Sequence, residues 1–566
     1  MVRDFKFGNW NHKVLGNTWK VNDDGTWFLP EKTLGWGILG WCSSYLKNED
    51  GDPWRFTPEQ ARFILWWYAI DDRGRFKYRT GILQRLKGFG KDPCAAALAL
   101  VEMLGPVRFS HWDMDGNPVG VRQRSPWVTV NAVSQSQTRN TSNVLKWMAS
   151  DKLIKEFDLV IGVEQATALK GRASILFSAS SYRAIEGNRP TFSILNETQH
   201  WIDGNHGTQM FETLDGNLTK SPNGTARMLS ITNAYMPGED SVAERQRFAY
   251  NEQEELKRLF PDMPRYGGEI YYDSLEADPK APTDPETVLE IVKHVRGDSV
   301  WLDPESIVGS FMNRSIAVAR SRRMFYNQVV AKEDALFEEA EWDACRLLDK
   351  EKVELKPGSE ITLGFDGGKT DDATALVAKR MSDGLIVPIM IWEAPPKEID
   401  PDWQINREEV DAYVHWCFRT FRVLAFYADV AQWESYIDSW SNTYRDRLLI
   451  KASTKSPIGW DMRGGQKRIT LENESVMDKV FETKERVDAG SVSDLPFLHN
   501  GNRVLRKHAL NARRRPNAHG TTFGKESRES PLKVDAYAAL LLAEMAFRDL
   551  RESGKNVRRT GHVYAY

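Results

Sequence analysis

Cysteine is scarce in this chain. The four cysteines among 566 residues, Cys42, Cys94, Cys345 and Cys417, are scattered, with neither a disulfide framework nor the CxxC or Cys/His spacing of a zinc site. The expected setting is therefore reducing and intracellular. Long apolar runs are also missing. None approaches the ~18 residues of a membrane-spanning helix, and the N-terminus does not read as a signal peptide, so no membrane role is expected. An excess of positive charge is missing too. Lys and Arg number 76 against 79 Asp and Glu, a net charge of −3, so any nucleic-acid contact must come from a local patch. No internal repeat is visible. What is present is a chain 41% hydrophobic and 27% charged, long enough for two or three domains with full cores.

Residues 1–50 are rich in Trp and Gly and show little periodicity. Helical spacing begins at "FTPEQARFILWWYAI" (56–70). From about 78 to 235 short apolar strands alternate with helical segments: "RTGILQRL", "WVTVNAV", "ASILFSAS", "TFSILN", "ARMLSIT". That alternation predicts a parallel α/β sheet with helices on both faces. Residues 246–353 read as mainly helical and charged. After the "ELKPGSE" linker (354–360), a second α/β unit runs through "ITLGFDGG", "TALVAKRM", "LIVPIMIWEA" and "RVLAFYAD". It closes with the helix "DAYAALLLAEMAFRDL". The expected organisation is an extension (1–50), a core (51–245), a helical linker or lid (246–353), a second domain (354–548) and a mobile, basic tail (549–566).

The stretch "KGFGKDP" has the makings of a phosphate loop. Gly88 and Gly90 let backbone N–H groups face phosphates, Lys91 supplies charge, and a helix starts directly behind. Pro93 suits the first helical turn, where its missing N–H costs nothing. The usual Ser or Thr after the lysine is absent, and Asp92 stands there. An ordinary strand–turn–helix connection would look similar. A second piece favours nucleotide. "TFSILNETQHW" is an apolar strand ending in Asn196-Glu197, where ATPases of this architecture carry an acidic pair. Glu197 fits the water-activating role, whereas Asn196 replaces the expected metal-supporting carboxylate. The two anomalies are read together: Asp92 carries the carboxylate and Asn196 the amide, so one negative charge is kept near the metal with its location exchanged. Gln60 is a candidate for reading the adenine edge or simply a helix-start residue. Thr232 and Asn233 in "LSITNA" are candidates for sensing the γ-phosphate or for an ordinary strand-end turn. Arg183 is the candidate arginine finger and Arg189 its substitute.

The second candidate site is a carboxylate cluster. Asp366 ends one apolar strand, Asp429 ends another, and Asp535 opens an amphipathic helix. Carboxylates at element edges can reach a shared point, and three suit two divalent metals clamping a phosphodiester. Helix capping is the competing reading for Asp429 and Asp535. Asp372 is a possible fourth member, because the strand it precedes should pair with the one carrying Asp366. The run 503–528 holds eight Lys/Arg against one Glu. A run of this kind can track a phosphate backbone without reading sequence, or serve only as a solvated face. His508 and His519 are accessory candidates, with surface histidines as the alternative.

In this order, "KGFGKDP", "SILNE" and "LSITN" followed by "GFDGG", "FYAD" and "KVDAYAALLLA" resemble the large terminase subunit of tailed double-stranded DNA bacteriophages, over about residues 50–548. The resemblance implies an α/β fold, with an N-terminal RecA-like, additional-strand (ASCE-type) ATPase domain and an RNase H-like nuclease domain. It implies ATP and Mg²⁺ as cofactors, with Mg²⁺ or Mn²⁺ at the nuclease site. It also implies a packaging motor that pumps double-stranded DNA into a procapsid and cuts concatemers. The expected partners are the portal protein, a small terminase subunit, and further copies in a ring, usually pentameric. The expected location is the host cytoplasm, transiently at the portal, and not the mature virion. By position Lys91 matches the phosphate-loop lysine, Glu197 the catalytic glutamate, Thr232 and Asn233 the coupling motif, and Asp366, Asp429 and Asp535 the nuclease acids. Arg183 matches by location only. Competing readings are a helicase or repair ATPase-nuclease, and a non-catalytic portal-docking scaffold.

Overall fold

A computed structural model describes residues 5–7, 10–178, 185–221, 224–261, 268–313, 315–332, 334–349, 351–368, 372–395, 400, 402–491, 493–527, 530 and 532–555. The chain divides into two compact units, residues 1–236 with 240–330, and residues 237–239 with 331–566. The division falls ahead of the 354–360 linker read from the sequence. Leu336, Phe337, Trp342 and Cys345 explain this, because all four are buried in the core of the second unit. Of the expected tail, 556–566 lie outside the described residues, and the last helix continues to Glu552.

The first unit contains β1 (Phe5–Phe7), β2 (Trp10–Leu15), β3 (Tyr78–Gln84), β4 (Arg108–Trp112), β5 (Pro118–Val121), β6 (Trp127–Asn131), β7 (Val160–Ile161), β8 (Gln165–Ala168), β9 (Ala173–Ser178), β10 (Phe192–Asn196), β11 (Arg227–Thr232) and β12 (Glu269–Glu276). Ten of these form one sheet in the order β1-β2-β12-β3-β11-β10-β6-β9-β8-β7, and β4-β5 form a separate hairpin. From β12 to β9 neighbouring strands run parallel. Every residue of β10 and β11 is buried, as expected of a parallel sheet covered on both faces. β11 is inserted between β3, which leads into the loop 85–90, and β10, which ends in Asn196. That inserted strand is the additional strand of a RecA-like sheet. Level pairing of Asn196 with Ile231 and of Thr232 with Gln84 brings the C-terminal ends of three parallel strands side by side, where open α/β sheets bind ligands.

Two segments gain a role that periodicity does not reveal. In residues 1–50, β2 extends the sheet antiparallel to β12, and Leu34, Ile38, Cys42 and Leu46 enter the main core. In the segment read as mainly helical, 269–276 is a strand in register with β3. Its Asp273 and Glu276 disguise it, yet both are buried against arginines: Asp273 stands 3.9 Å from Arg85 and Glu276 2.8 Å from Arg247.

The second unit contains β13 (Glu360–Gly367), β14 (Thr374–Arg380), β15 (Leu385–Trp392), β16 (Arg422–Asp429), β17 (Gly459–Trp460), β18 (Leu498–His499), β19 (Arg513–Asn517) and β20 (Gly520–Gly524). Six form a sheet in the order β17-β16-β13-β14-β15-β18. β13, β14 and β15 make an antiparallel meander, and β16 and β17 continue parallel to β13 on its other side. That is the RNase H-like arrangement. The helix Asp535–Glu552 lies directly on β13, and Gly364 makes this possible. A Cβ there would stand 2.0 Å from the Ala539 carbonyl oxygen and 2.4 Å from the Ala543 nitrogen. Thr362 Oγ1 fastens the contact by donating to Ala543 O at 3.0 Å.

Candidate functional site

In the first unit, β3 runs into the loop 85–90, and the helix Lys91–Leu104 starts at once. Gly88 and Gly90 have φ of +88° and +94°, values that strain any residue with a Cβ. Lys91 is buried. Its Nζ donates to Arg85 O (2.9 Å), Leu86 O (3.1 Å) and Asn233 Oδ1 (2.5 Å). Burial pushes its pKa down to about 8, against the opposing pull of Glu197 and Asp92. Burial first, then the Glu197 charge, holds the Asp92 carboxyl above its ordinary value. Asn196 Nδ2 faces Asp92 Oδ1 at 3.4 Å, while Asn196 Oδ1 is buried without a hydrogen-bond partner. The two residues that depart from the usual pattern are thus adjacent. Carboxylate and amide oxygens are donors that a hard divalent cation takes, and here the amide nitrogen is the side of Asn196 turned toward Asp92.

Glu197 follows β10 with φ 57° and ψ 51°, a left-handed conformation uncommon outside glycine. It is pinned there because its N–H donates to Ile231 O at 2.8 Å. Thr232 ends β11 and is fully buried, and Asn233 follows it. Gln60 occupies the N-terminus of the helix Pro58–Trp67. Its N–H donates to Thr57 Oγ1 and its Oε1 accepts from Thr57 N, both at 3.2 Å. This capping box ties up its amide oxygen. The side chain still lies against the loop 85–90, with Nε2 3.7 Å from where a Gly90 Cβ would be. Arg183 lies outside the described residues, and Arg189 is on the loop before β10.

Three features of this site escape motif reading. Gln199 joins Glu197 to Thr232. Arg85 is fully buried and paired with Glu59, whose carboxyl burial lifts to about 7 in spite of the arginine. A segment some 200 residues downstream covers the loop. Ser299 Oγ donates to Phe89 O (3.0 Å) and Trp301 Nε1 to Gly88 O (2.9 Å). A Cβ on Gly88 would stand 2.5 Å from Leu302 Cδ2.

In the second unit the register of β13 with β16, Phe365 opposite Ala428, sets Asp366 beside Asp429 at neighbouring C-terminal ends. Asp535 opens the helix on the same strand. Burial and then the charges of Asp535, Asp429 and Asp372 hold Asp366 well above the usual carboxylate range. Asp429 and Asp535 are raised too, chiefly by burial. Asp429 accepts from Met462 N at 3.1 Å, whereas Asp535 Oδ2 is buried without a hydrogen-bond partner. Among the described residues, no three His, Cys, Asp or Glu side chains already stand as a closed metal cage. The cluster is one of mutually repelling acids with an orphaned oxygen, and those donors fit a divalent cation. Asp372 lies just before the strand paired with β13, as expected, but its carboxylate is half exposed and bonded to Lys525, with Lys533 at 4.0 Å.

The basic run is largely paired within its own unit. Arg506 bonds Glu339 and Asp343, Lys507 bonds Glu393, and Arg513 and Arg515 face Asp334. Such charges position local structure, so the run is not an open strip of free cations. His508 is fully buried, which overturns its surface reading. Its Nδ1 accepts from Ala536 N (2.9 Å), next to Asp535, and its Nε2 faces Glu393 at 3.1 Å. His519 is exposed at the β19–β20 turn. All four cysteines are buried and unbridged. Among the described residues, no helix is long and apolar enough to cross a membrane.

No family model matches the chain. Two curated proteins align over nearly its whole length. The Gene 13 protein of Mycobacterium phage L5 is 40% identical over 97% of both chains. The Gene 13 protein of Mycobacterium phage D29 is 39% identical over 98% of this chain and 97% of its own. Among solved structures, the HK97 bacteriophage large terminase covers 90% of this chain and 99% of its own, at 16% identity and TM-score 0.45. The large terminase of a thermophilic bacteriophage, solved in complex with ADP, covers 85% and 97%, at 11% and 0.30. The large terminase nuclease of thermophilic phage G20c with bound magnesium covers 38% and 97%, at 12% and 0.25.

Proposed function

The chain belongs to the family of the Gene 13 proteins of Mycobacterium phages L5 and D29, and we propose that it is the large terminase subunit of a tailed phage, a DNA-packaging motor with its own nuclease. One observation carries this reading: a single chain holds a RecA-like sheet with Lys91, Asp92, Asn196 and Glu197 at its ligand-binding edge, and an RNase H-like sheet with three aspartates at its own.

At the first site Lys91 and the N–H groups from Gly88 onward hold the phosphates of ATP. Gln60 faces the base, Thr232 and Asn233 face the γ-phosphate, and Asp92 with Asn196 would hold Mg²⁺. Glu197 orients the attacking water. Arg183 is assigned as the arginine finger reaching a neighbouring copy's site. At the second site Asp366, Asp429 and Asp535 would hold Mg²⁺ or Mn²⁺, which when bound supplies charge neutralisation and an activated water for phosphodiester cleavage. The first unit, residues 1–236 with 240–330, acts as the ATPase, and the second, residues 237–239 with 331–566, as the nuclease. The partners are double-stranded DNA, a portal protein, a small terminase subunit and further copies in a ring, in the infected cytoplasm.

Two separable activities test this. Purified wild-type protein should hydrolyse ATP, faster with DNA, and cleave DNA with Mg²⁺ or Mn²⁺. Lys91→Ala should abolish only the first activity and Asp366→Ala only the second. If neither substitution changes anything, the motor reading fails and a scaffold takes its place.

A further inference from the structure

Gln199 lies two residues beyond Glu197, in a single turn of 3₁₀ helix, and is buried. Its carboxamide bridges two elements. Nε2 donates to Glu197 Oε2. Oε1 accepts from Thr232 Oγ1 (2.7 Å) and Asn233 N (3.3 Å). The orientation is dictated by the partners, because an ionised carboxylate can only accept and a backbone N–H can only donate. Beyond Asn233 the path continues. Asn233 Oδ1 accepts from Lys91 Nζ at 2.5 Å, and Arg85 N donates to Thr232 O at 3.1 Å. Lys91, Asn233, Gln199 and Glu197 therefore form one hydrogen-bonded chain, from the cation that meets the phosphates to the carboxylate that orients water.

This chain has a built-in conflict. Lys91 uses its N–H groups on two loop carbonyls and Asn233, partners it must release to bind phosphate. Thr232 has one hydroxyl proton and two acceptors, Gln199 Oε1 and Asn233 O at 2.8 Å. Any shift of Asn233 thus moves the acceptor balance at Thr232, and with it the amide that holds Glu197.

We propose that Gln199 is a positioning residue that transmits phosphate binding at Lys91 and Asn233 to the orientation of Glu197, so that the carboxylate faces water only when the nucleotide is seated. This deepens the ATPase reading and rests on it. Gln199 is not among the groups assigned to the nucleotide above. Its loss therefore lowers turnover and leaves affinity alone.

The test uses the full chain with Mg²⁺-ATP, reading steady-state kcat and KM together with equilibrium binding of a fluorescent ATP analogue. Gln199→Ala removes both ends of the bridge. Gln199→Glu is isosteric and keeps the acceptor for Thr232 and Asn233, but cannot donate to Glu197. Both should lower kcat by about 10–100-fold, the scale of a mispositioned general base, with analogue affinity within about twofold of wild type. Gln199→His keeps one donor and one acceptor and should recover part of the loss. Unchanged kcat in both variants overturns the proposal, as does affinity that falls in step with kcat. If the wild type neither binds nor hydrolyses ATP, the ATPase reading itself fails, a result distinct from the other two.

Discussion

Replacing Asn196 by Asp sets two carboxylates against each other. The Asn196 amide lies 3.4 Å from Asp92 Oδ1, so an Asp in its place brings like charges to about that separation. At an effective dielectric of 20 their repulsion is about 5 kcal/mol. The folded protein can escape by taking up a proton. Against an unfolded-chain Asp pKa of about 3.9, that uptake costs about 4 kcal/mol at pH 7 and about 1.5 kcal/mol at pH 5. The penalty is the smaller of the two routes. Asn196→Asp should therefore destabilise the metal-free protein by up to about 4 kcal/mol at pH 7 and by about 1.5 kcal/mol or less at pH 5. The sign follows from proton binding: the folded pair holds a proton the unfolded chain releases, so stability recovers as pH falls. Adding Asp92→Ser removes the repulsion and restores the usual hydroxyl at that loop position. Equilibrium urea unfolding at the two pH values measures the first part, and ATP turnover of the single and double variants the second. A pH-independent loss of stability refutes the electrostatic reasoning. A double variant no better than Asn196→Asp refutes the exchange between Asp92 and Asn196.

Three further outcomes are expected. Asp366→Asn should raise the melting temperature of the metal-free protein by several degrees while abolishing metal-dependent cleavage. An acid whose folded pKa is raised imposes its full cost above that pKa and none below the unfolded value, so the gain should shrink as pH is lowered. Gly88→Ala should weaken nucleotide binding and lower stability by about 1–3 kcal/mol, because φ is +88° and the added carbon meets Leu302; calorimetry and analogue binding check this. His508→Ala should weaken Mn²⁺ binding on the order of tenfold or more by releasing the turn that carries Asp535, measured by calorimetric titration, whereas His519→Ala should leave it unchanged.

Five of the ten strands in the first sheet and four of the six in the second are legible in the sequence because each is a short apolar run bounded by turn residues, and the site residues at their ends come with them. What stays hidden depends on pairing across long sequence separations. β12 reads as polar because its acids are neutralised by arginines elsewhere in the chain. The sequence leaves His508 open between an accessory and a surface role because nothing nearby announces its bond to Ala536. The basic run looks like an open DNA-binding face until its acidic partners, contributed by residues 334–393, are in place. Gln199 is adjacent to a motif and still escapes pattern reading, since its meaning lies in the two groups it joins.

The cover over the glycine loop 85–90 also fixes when the candidate site can exist. Trp301 reaches Gly88 across 213 positions of chain. At a synthesis rate of about 5–20 residues per second, the glycine loop waits roughly 10–40 s on the ribosome before its roof is made. A nascent chain holding β3, β10 and β11 has the sheet that frames the pocket, but not the residues that close it. On the proposed ATPase reading, nucleotide binding becomes a property of nearly the whole first unit, acquired late, and a chain truncated before residue 297 would carry the motif without the segment that covers it.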